Sequence, residues 1–282
     1  MRRFLCAVGL VAMLFSAASA AAHHPGHAVS VRTAGSYNPY LEGTGKPRKS
    51  VNYTFDWSHL DNGAGDMYFN QVGGEYAVVD WLSLTARIPV LSLQMNFRPN
   101  KTGLGDVAAG VKGLLWGGED SAVTAGLEFS FPTGDRDAGT GAGAVSASPF
   151  VAYQYDLGPV QFFTSLGTSV LLAGEAEPIL QPLGGLAVPL IKKTVPVTAI
   201  VSLRGIVYFA DETFTPGSAK GYLVPGLIIY PRENKKLSIA VAATISVIDT
   251  LAVRQGVIVQ NSSLALTQDV KVGASLEMNY NF

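Results

Sequence analysis

Apolar and polar residues alternate along the last fourteen positions of the chain, from Asp269 to Phe282. The apolar positions are Val270, Val272, Ala274, Leu276, Met278, Tyr280 and Phe282. A period of two predicts an extended strand with one apolar face and one polar face. The segment is longer than the roughly 5–6 residues usual for a strand in a soluble protein. It is long enough to cross a bilayer as a tilted strand, which takes roughly 9–11 residues.

The same alternation begins at Val51 and recurs along the chain. It predicts twelve strands, with approximate spans 50–60, 66–79, 82–96, 105–116, 121–132, 146–157, 159–173, 181–191, 194–210, 220–231, 236–249 and 266–282. The connections alternate between short turns and mostly longer loops rich in Gly, Pro and Asp, as bacterial outer-membrane barrels do. The predicted fold is therefore all-β: a transmembrane, antiparallel, up-and-down β-barrel of about twelve strands, with both barrel termini on the periplasmic side.

The first twenty residues have the features of a secretory signal peptide. Arg2 and Arg3 precede an apolar run that is too short to span a membrane as a helix, and Ala18-Ser19-Ala20 is typical of a cleavage site. Cleavage after Ala22 is the alternative. We expect a signal peptide over 1–20, a flexible periplasmic segment over 21–49, and the barrel over 50–282.

Composition narrows the classes of function. The only cysteine, Cys6, lies in the predicted signal peptide, which excludes disulfides, thiolate metal sites and cysteine nucleophiles from the mature chain. Charged residues make up 15% of the chain, against about 25% in average soluble domains, while 48% are hydrophobic. Because no run of 18 apolar residues follows the signal peptide, a closed barrel is the remaining way to span lipid. No basic stripe predicts a nucleic-acid partner.

Aromatic residues cluster near the two ends of the predicted strands. Those beside short turns or the chain end are Trp81, Trp116, Tyr155, Tyr230, Tyr280 and Phe282. Those near the longer loops are Trp57, Phe97, Phe131, Tyr208, Phe209 and Tyr222. Two aromatic belts one membrane apart are expected of a barrel anchored at both interfaces.

If apolar residues face lipid, the polar phase of each strand faces the lumen. The predicted lumen-lining charged residues are Asp56, Arg87, Asp106, Lys112, Glu128, Arg204 and Glu277, with Lys271 on the last strand. Many other inward residues are small, so we expect a narrow passage through the barrel. The charges are of both signs, which leaves two interpretations open. They form structural ion pairs inside the wall, or they form a polar constriction that selects solutes.

Two predicted strands, near 183–191 and 220–231, are apolar on both faces. Pro189, Pro196 and Pro225 also remove hydrogen-bond donors from this region, so we expect a bulge. A strand of this kind suits a wall with lipid outside and an apolar solute inside. An error in the strand assignment is the alternative explanation of the same pattern.

Two stretches resemble a known family. Thr102-Gly103-Leu104-Gly105-Asp106 is similar to its T-G-x-G-D strand entry, and residues 127–135 are similar to the strand-to-loop segment that follows. The family is the outer-membrane family linked to the meta pathway of phenol degradation. The resemblance implies a barrel over 50–282 that admits aromatic and other hydrophobic small molecules. Asp106 and Asp135 could serve loop shape, through side-chain hydrogen bonds, or contact with solute.

The chain end also resembles the terminal assembly signal of bacterial outer-membrane barrels, since Phe282 follows alternating apolar positions. The expected partners are therefore outer-membrane lipid, a small-molecule solute and the barrel-assembly machinery. The expected location is the bacterial outer membrane.

Three histidines, His23, His24 and His27, lie in the predicted N-terminal segment. If the mature chain starts at Ala21, its free amine, the next two amides and the His23 imidazole can surround a square-planar ion, which favours Cu(II) or Ni(II). A start at His23 would remove this chelate. Without carboxylates or a scaffold the three imidazoles form an incomplete site. No other cofactor is expected.

These observations favour a passive outer-membrane channel for small, hydrophobic or aromatic molecules, with no enzymatic activity. The alternative is a metal-binding or structural barrel that uses its histidine tail. An outer-membrane lipase would need a serine and a histidine on one face. Along its own strand the face of His59 carries Trp57 and Asp61, and no serine.

Overall fold

The computed structural model describes residues 46–60, 65–96, 99–135, 138–172, 179–192, 195–208, 219–231, 236–249 and 270–282. Its strands are β1 (Ser50–Leu60), β2 (Gly65–Val79), β3 (Leu82–Met95), β4 (Lys101–Leu104), β5 (Val107–Gly117), β6 (Ser121–Phe131), β7 (Ser146–Asp156), β8 (Gln161–Leu171), β9 (Ile179–Ile191), β10 (Val197–Tyr208), β11 (Ala219–Ile229), β12 (Leu237–Asp249) and β13 (Val270–Asn281). No helix in these ranges is long and apolar enough to cross a membrane.

Apart from β4, which pairs only with β3, neighbouring strands of the wall pair antiparallel in chain order, and the first pairs with the last. The ladder between β1 and β13 runs from Ser50 opposite Asn281 to Leu60 opposite Val270. Strands β4 and β5 both pair with β3, at different heights, so together they form one strand of the wall. The result is a closed antiparallel barrel with twelve strands around its wall, which confirms the predicted fold class.

Most side chains follow the distribution expected of a membrane barrel. Along β1 the even-numbered residues are buried, among them Thr54 and Asp56 at 1% exposure each, while Val51 on the other face is 49% exposed. The exposed apolar surface extends around the wall through residues such as Val72, Leu84, Ile88, Val111, Val151, Leu166, Val201, Leu203, Val241 and Ile245. Since the apolar face points outward and the polar face inward, the outer surface is suited to lipid.

The alternation on the last strand is reversed at one end. The ladder passes from His59 opposite Val272 to Leu60 opposite Val270, so Lys271 is the extra residue of a β-bulge. Lys271 is exposed, and Val270 is fully buried against Leu60. The expectations that Val270 faces lipid and that Lys271 faces the lumen are therefore wrong, because the bulge changes the phase of the strand.

A second break in phase lies between β4 and β5. Gly103 in β4 is opposite Leu91, and Ala108 in β5 is opposite Arg87, so odd positions of β4 and even positions of β5 share the inner face. Gly105 lies at the change of phase, where a β-carbon would overlap the side chains of Leu91 and Pro89. This close approach requires a glycine.

The aromatic belt at the short-turn end is present on the outer face, where Trp81, Trp116, Tyr280 and Phe282 are exposed. Two aromatic residues that the sequence assigned to the belts, one at each end, do not lie on the outer face. Tyr222 is 1% exposed and belongs to a cluster of buried apolar side chains. Tyr230 is partly buried and packs against Ile228 and Ala240. Phe97 and Phe209 lie outside the described residues.

A charge placed on the outer face should test the lipid exposure. Val151, near the middle of β7, is 41% exposed. We expect Val151→Arg to lower the free energy of unfolding in lipid vesicles by about 2–4 kcal/mol, because arginine must then enter the hydrocarbon region. Tyr155→Arg, near the end of the same strand, should cost about 0–1 kcal/mol. Equal costs at both positions would contradict a membrane-spanning face.

Candidate functional site: the lumen

The inner face at the short-turn end carries a group of paired charges. Glu75 of β2 accepts hydrogen bonds from Lys112 Nζ at 2.8 Å, from Ser83 Oγ at 2.8 Å and from the Arg48 backbone N–H at 3.0 Å. The Arg48 guanidinium lies 3.6 Å from the same carboxylate. Lys112 and Glu75 are 2% and 7% exposed, so each charge is compensated where water is scarce.

A second ion pair joins Arg87 of β3 to Glu128 of β6. Both side chains are largely buried, and both line a cavity of about 550 Å³ together with Arg48, Glu75 and Lys112. Three cations and two anions therefore face this part of the lumen. The dense pairing gives the short-turn end a polar and compensated interior.

The opposite end of the lumen, where the longer loops lie, carries a large apolar group beside the buried Lys220 and Asp106. One cluster of buried side chains comes from seven strands: Leu60, Met67, Leu93, Met95, Ile179, Ile206, Tyr222, Val224 and Val270. We call it the apolar cluster. Its members are at most 9% exposed, and the strand register places every one of them on the inner face. A barrel interior is usually polar, so this grouping of apolar side chains marks a specialised level of the lumen.

Two aromatic rings line the inner wall below the apolar cluster. Phe150 of β7 lies over Gly126 of β6, and Phe163 of β8 lies over Gly185 of β9. In each case a β-carbon on the glycine would overlap the ring, so the missing side chain makes room for the aromatic one. Phe163 is fully buried and packs with Leu183 and Ala187. The rings extend apolar surface towards the middle of the barrel.

A second cavity, of about 450 Å³, lies against the wall formed by β10 to β13 and β1. It is lined by Thr54, Ile200, Ser202, Arg204, Val224, Gly226, Leu227, Ala240, Val241, Ala242, Ser275 and Glu277. Most of these side chains are small or aliphatic. The cavity therefore combines hydroxyl groups and one charge of each sign with a largely apolar wall.

The two motifs that carry the family resemblance contact each other. Thr133 Oγ1 accepts a hydrogen bond from the Val107 N–H and donates one to the Gly105 carbonyl, both at 2.9 Å. Asp106 accepts the Gly134 N–H at 3.0 Å through Oδ1 and the Ala142 N–H at 2.6 Å through Oδ2. One carboxylate thus holds both arms of the loop that follows β6.

This loop lies against the inner face of the barrel. Thr140 and Ala142 are 3% and 2% exposed, and Thr140 packs on Gly103. Asp135 closes the loop on itself, since its carboxylate accepts the Ala138 N–H at 3.1 Å and its carbonyl accepts the Thr140 N–H at 2.9 Å. Asp106 and Asp135 therefore fix the shape of the loop. This is the first of the two interpretations of these residues, the other being contact with solute.

The structure places the predicted lumen residues on two parts of the inner wall. Arg87, Lys112 and Glu128 line the first cavity, and Arg204 and Glu277 line the second. Asp56 is buried on the inner face of β1, and Asp106 holds the loop.

The sequence did not reveal two charged residues of the lumen, Glu75 and Arg48. The alternation along β2 alone does not point to Glu75. The pattern predicts apolar residues on the outer face, whereas Met67 and Phe69 lie on the inner face together with Glu75. Only the pairing between strands could have placed Glu75 in the lumen.

The histidine tail lies outside the described residues, so its binding of Cu(II) or Ni(II) stays a prediction. Within the described ranges no group of three or more His, Cys, Asp or Glu residues is arranged to hold a metal ion.

His59, the candidate base of a lipase, lies on the outer face near the long-loop end. Its Nδ1 is 3.0 Å from Asp66 Oδ1, and the Trp57 indole N–H donates to the same oxygen at 3.2 Å. Sequence reasoning missed Asp66 because it considered neighbours along β1 and not across the hairpin, where His59 is opposite Asp66. A histidine and a carboxylate supply two parts of a hydrolytic triad, whose third part is a serine.

A closed barrel with an apolar outer surface and this lumen is an outer-membrane β-barrel of the porin-like, channel-like class. Residues 32–171 match the family described as "Putative MetA-pathway of phenol degradation". The family resemblance carried by the two motifs is thereby confirmed over this part of the chain. The comparison with curated proteins finds no match.

Solved structures share the fold. An outer-membrane channel from Pseudomonas putida F1 is 10% identical with a TM-score of 0.58, over 84% of this chain and 96% of that one. The KdgM porin in complex with disordered oligogalacturonate is 8% identical with a TM-score of 0.51, over 83% and 99%. LpxR from Salmonella typhimurium, a barrel enzyme, is 9% identical with a TM-score of 0.50, over 83% and 100%. At these identities the likeness shows the fold alone.

The loop contact can be tested at Asp106. An asparagine keeps one acceptor oxygen but turns an N–H₂ group towards a backbone N–H, so Asp106→Asn should lose one of the two bonds. A hydrogen bond to a charged group contributes about 1.5–3 kcal/mol. We therefore expect tryptic cleavage at Arg136, within this loop, to become at least about tenfold faster by mass spectrometry of the purified barrel.

Asp156→Asn provides the control. Asp156 accepts the Gly158 N–H at 2.8 Å in a short turn at the other end of the barrel. It should leave the cleavage rate at Arg136 unchanged. Equal rates in the Asp106 variant and the unmodified protein would contradict the anchoring role.

Proposed function

We propose that the protein is a passive channel for small hydrophobic or aromatic molecules across the bacterial outer membrane. The observation that carries this proposal is the apolar cluster inside the long-loop end of the lumen. A solute that enters the barrel from this side meets Leu60, Met67, Leu93 and their neighbours, with the buried Lys220 beside them on β11.

Desolvation favours an apolar solute at this level. A hydroxyl group that loses water without a new partner costs roughly 2–7 kcal/mol, depending on the reference state. An apolar solute that buries roughly 100 Å² gains on the order of 2.5 kcal/mol at about 25 cal/mol per Å². The difference is large enough to discriminate between a sugar and an aromatic hydrocarbon of similar size. Narrow apolar segments also exclude ions, because water leaves them readily.

Further support comes from the inner wall and from the matched family. The ring of Phe150 lines the first cavity and offers an aromatic contact in the lumen, while the buried Phe163 and Tyr222 make the wall behind it aromatic. The family description names the degradation of phenol, an aromatic compound. No step of passive diffusion needs a nucleophile or a cofactor.

Transport can be measured in vesicles with lipopolysaccharide in the outer leaflet. We expect the protein to accelerate entry of a small aromatic hydrocarbon at least several-fold, and to leave entry of a pentose near the rate of protein-free vesicles. Equal acceleration of both solutes would point to a general porin. No acceleration of the aromatic solute would overturn the proposal.

A substitution within the apolar cluster tests the selecting step. Leu93 is 3% exposed. Leu93→Asn should raise single-channel ion conductance several-fold and slow entry of the aromatic solute, because an amide keeps water in the narrow segment. Leu93→Met keeps size and hydrophobicity and should change neither quantity. Planar-bilayer recordings and the vesicle assay provide both readings, and identical conductance in the two variants would contradict a hydrophobic constriction.

A further inference from the structure

The ladder between β11 and β12 lacks two residue pairs near its middle, while its register is the same on both sides of them, and we call this place the interruption. Pairing passes from Leu223 opposite Ile245 to Gly226 opposite Ala242, which skips Val224 and Pro225. Proline has no amide hydrogen, so it cannot donate to a ladder. A register shift between Gly221 and Tyr222 disturbs the same ladder nearer the long-loop end.

Both faces of the wall are apolar at this interruption. On the outer face Leu227, Val241 and Ile245 are 40–42% exposed, as befits contact with lipid. On the inner face Val224 and Ala240 are 5% and 6% exposed. An apolar solute that crosses the wall here would meet no charged side chain on either strand at this height.

The second cavity lies directly behind the interruption. Its lining includes Val224, Gly226 and Ala242 on the inner face, and also Leu227 and Val241, a cross-strand pair on the outer face. Gly226 contributes no side chain, and a β-carbon there would overlap Ala242 and the Val241 carbonyl, so the two backbones lie close together at this pair. The cavity therefore lies beside the missing pairs of the ladder.

The first cavity provides a contrast within the same molecule. It reaches the wall between β5 and β6, where Val111 and Leu127 are likewise a cross-strand pair, but that ladder is continuous from Val107 opposite Phe131 to Leu114 opposite Thr124. Its lining is charged. Two other ladders skip a proline, Pro149 and Pro182, and neither residue lines either cavity.

The alternative way out leads past the paired charges of the short-turn end. Glu75 and Lys112 form one largely buried pair there, and Arg87 and Glu128 form a second pair further along the same wall. An apolar solute would have to pass between these groups and weaken their mutual interactions without replacing them. The route through the wall passes Arg204 and Glu277 in the second cavity, but no charged side chain between β11 and β12 at the height of Pro225.

From this geometry, and resting on the proposed function, we infer that hydrophobic solutes leave the lumen sideways. They pass from the second cavity between β11 and β12 into the hydrocarbon core of the outer membrane. The apolar cluster is the entrance of this route, and the interrupted ladder is its exit.

Reversible cross-links across two walls test the exit. Leu227→Cys with Val241→Cys places one thiol on each side of the β11–β12 ladder, and Val111→Cys with Leu127→Cys does the same at the continuous β5–β6 ladder. Removal of the predicted signal peptide removes Cys6, so the introduced thiols are the only ones in the mature chain. A short bifunctional thiol reagent with a reducible centre would join each pair.

The readout is the rate at which a fluorescent aromatic hydrocarbon, added outside the vesicles with lipopolysaccharide in the outer leaflet, reaches the bilayer core. We expect the β11–β12 cross-link to slow this rate at least tenfold, with recovery on reduction. The β5–β6 cross-link should change it less than twofold. Pro225→Val, which restores an amide donor, should slow the rate several-fold without any reagent.

Two negative results can be told apart. Acceleration that persists at full rate with the β11–β12 cross-link in place and with Pro225→Val would overturn the sideways exit and leave the channel proposal standing. No acceleration by the unmodified protein would overturn the channel proposal, and the exit with it.

Discussion

Hydrocarbon offers no hydrogen-bond partners to the backbone, and this constraint shapes the whole molecule. Every amide and carbonyl in the wall must be paired within the protein, so the sheet can cross lipid only when its edges are joined. The pairing of β1 with β13 supplies that joint. Once the sheet is closed, each side chain points either towards lipid or towards the enclosed space. The alternation of the sequence therefore indicates which residues form the outer surface and which form the inner one.

The inner surface of the closed sheet is not uniformly polar. One buried ion pair, Glu75 with Lys112, lies towards the short-turn end, and a second, Arg87 with Glu128, lies further along the wall. Apolar side chains occupy the long-loop end. The two motifs of the family resemblance meet at Asp106 and hold a loop against the inner face. These three features all depend on the same closed sheet.

Period-two patterning was enough to predict the closed barrel and most strand bounds, because lipid outside imposes one rule on every strand. The rule fails where apolar side chains also occur inside, as with Met67 and Tyr222. It fails again at bulges, where one extra residue such as Lys271 reverses the phase. The partner of Lys112 could not be found along one strand, since Glu75 reaches it through pairing across β3. Contacts between strands follow from register, which a single strand does not specify.

The division of the lumen into a charged end and an apolar end also affects its electrical behaviour. Water and mobile ions enter a charged segment more readily than one lined by Leu60, Met67 and Leu93. The electrical resistance is therefore concentrated in the apolar segment. A voltage applied across the barrel would fall mainly over that apolar segment.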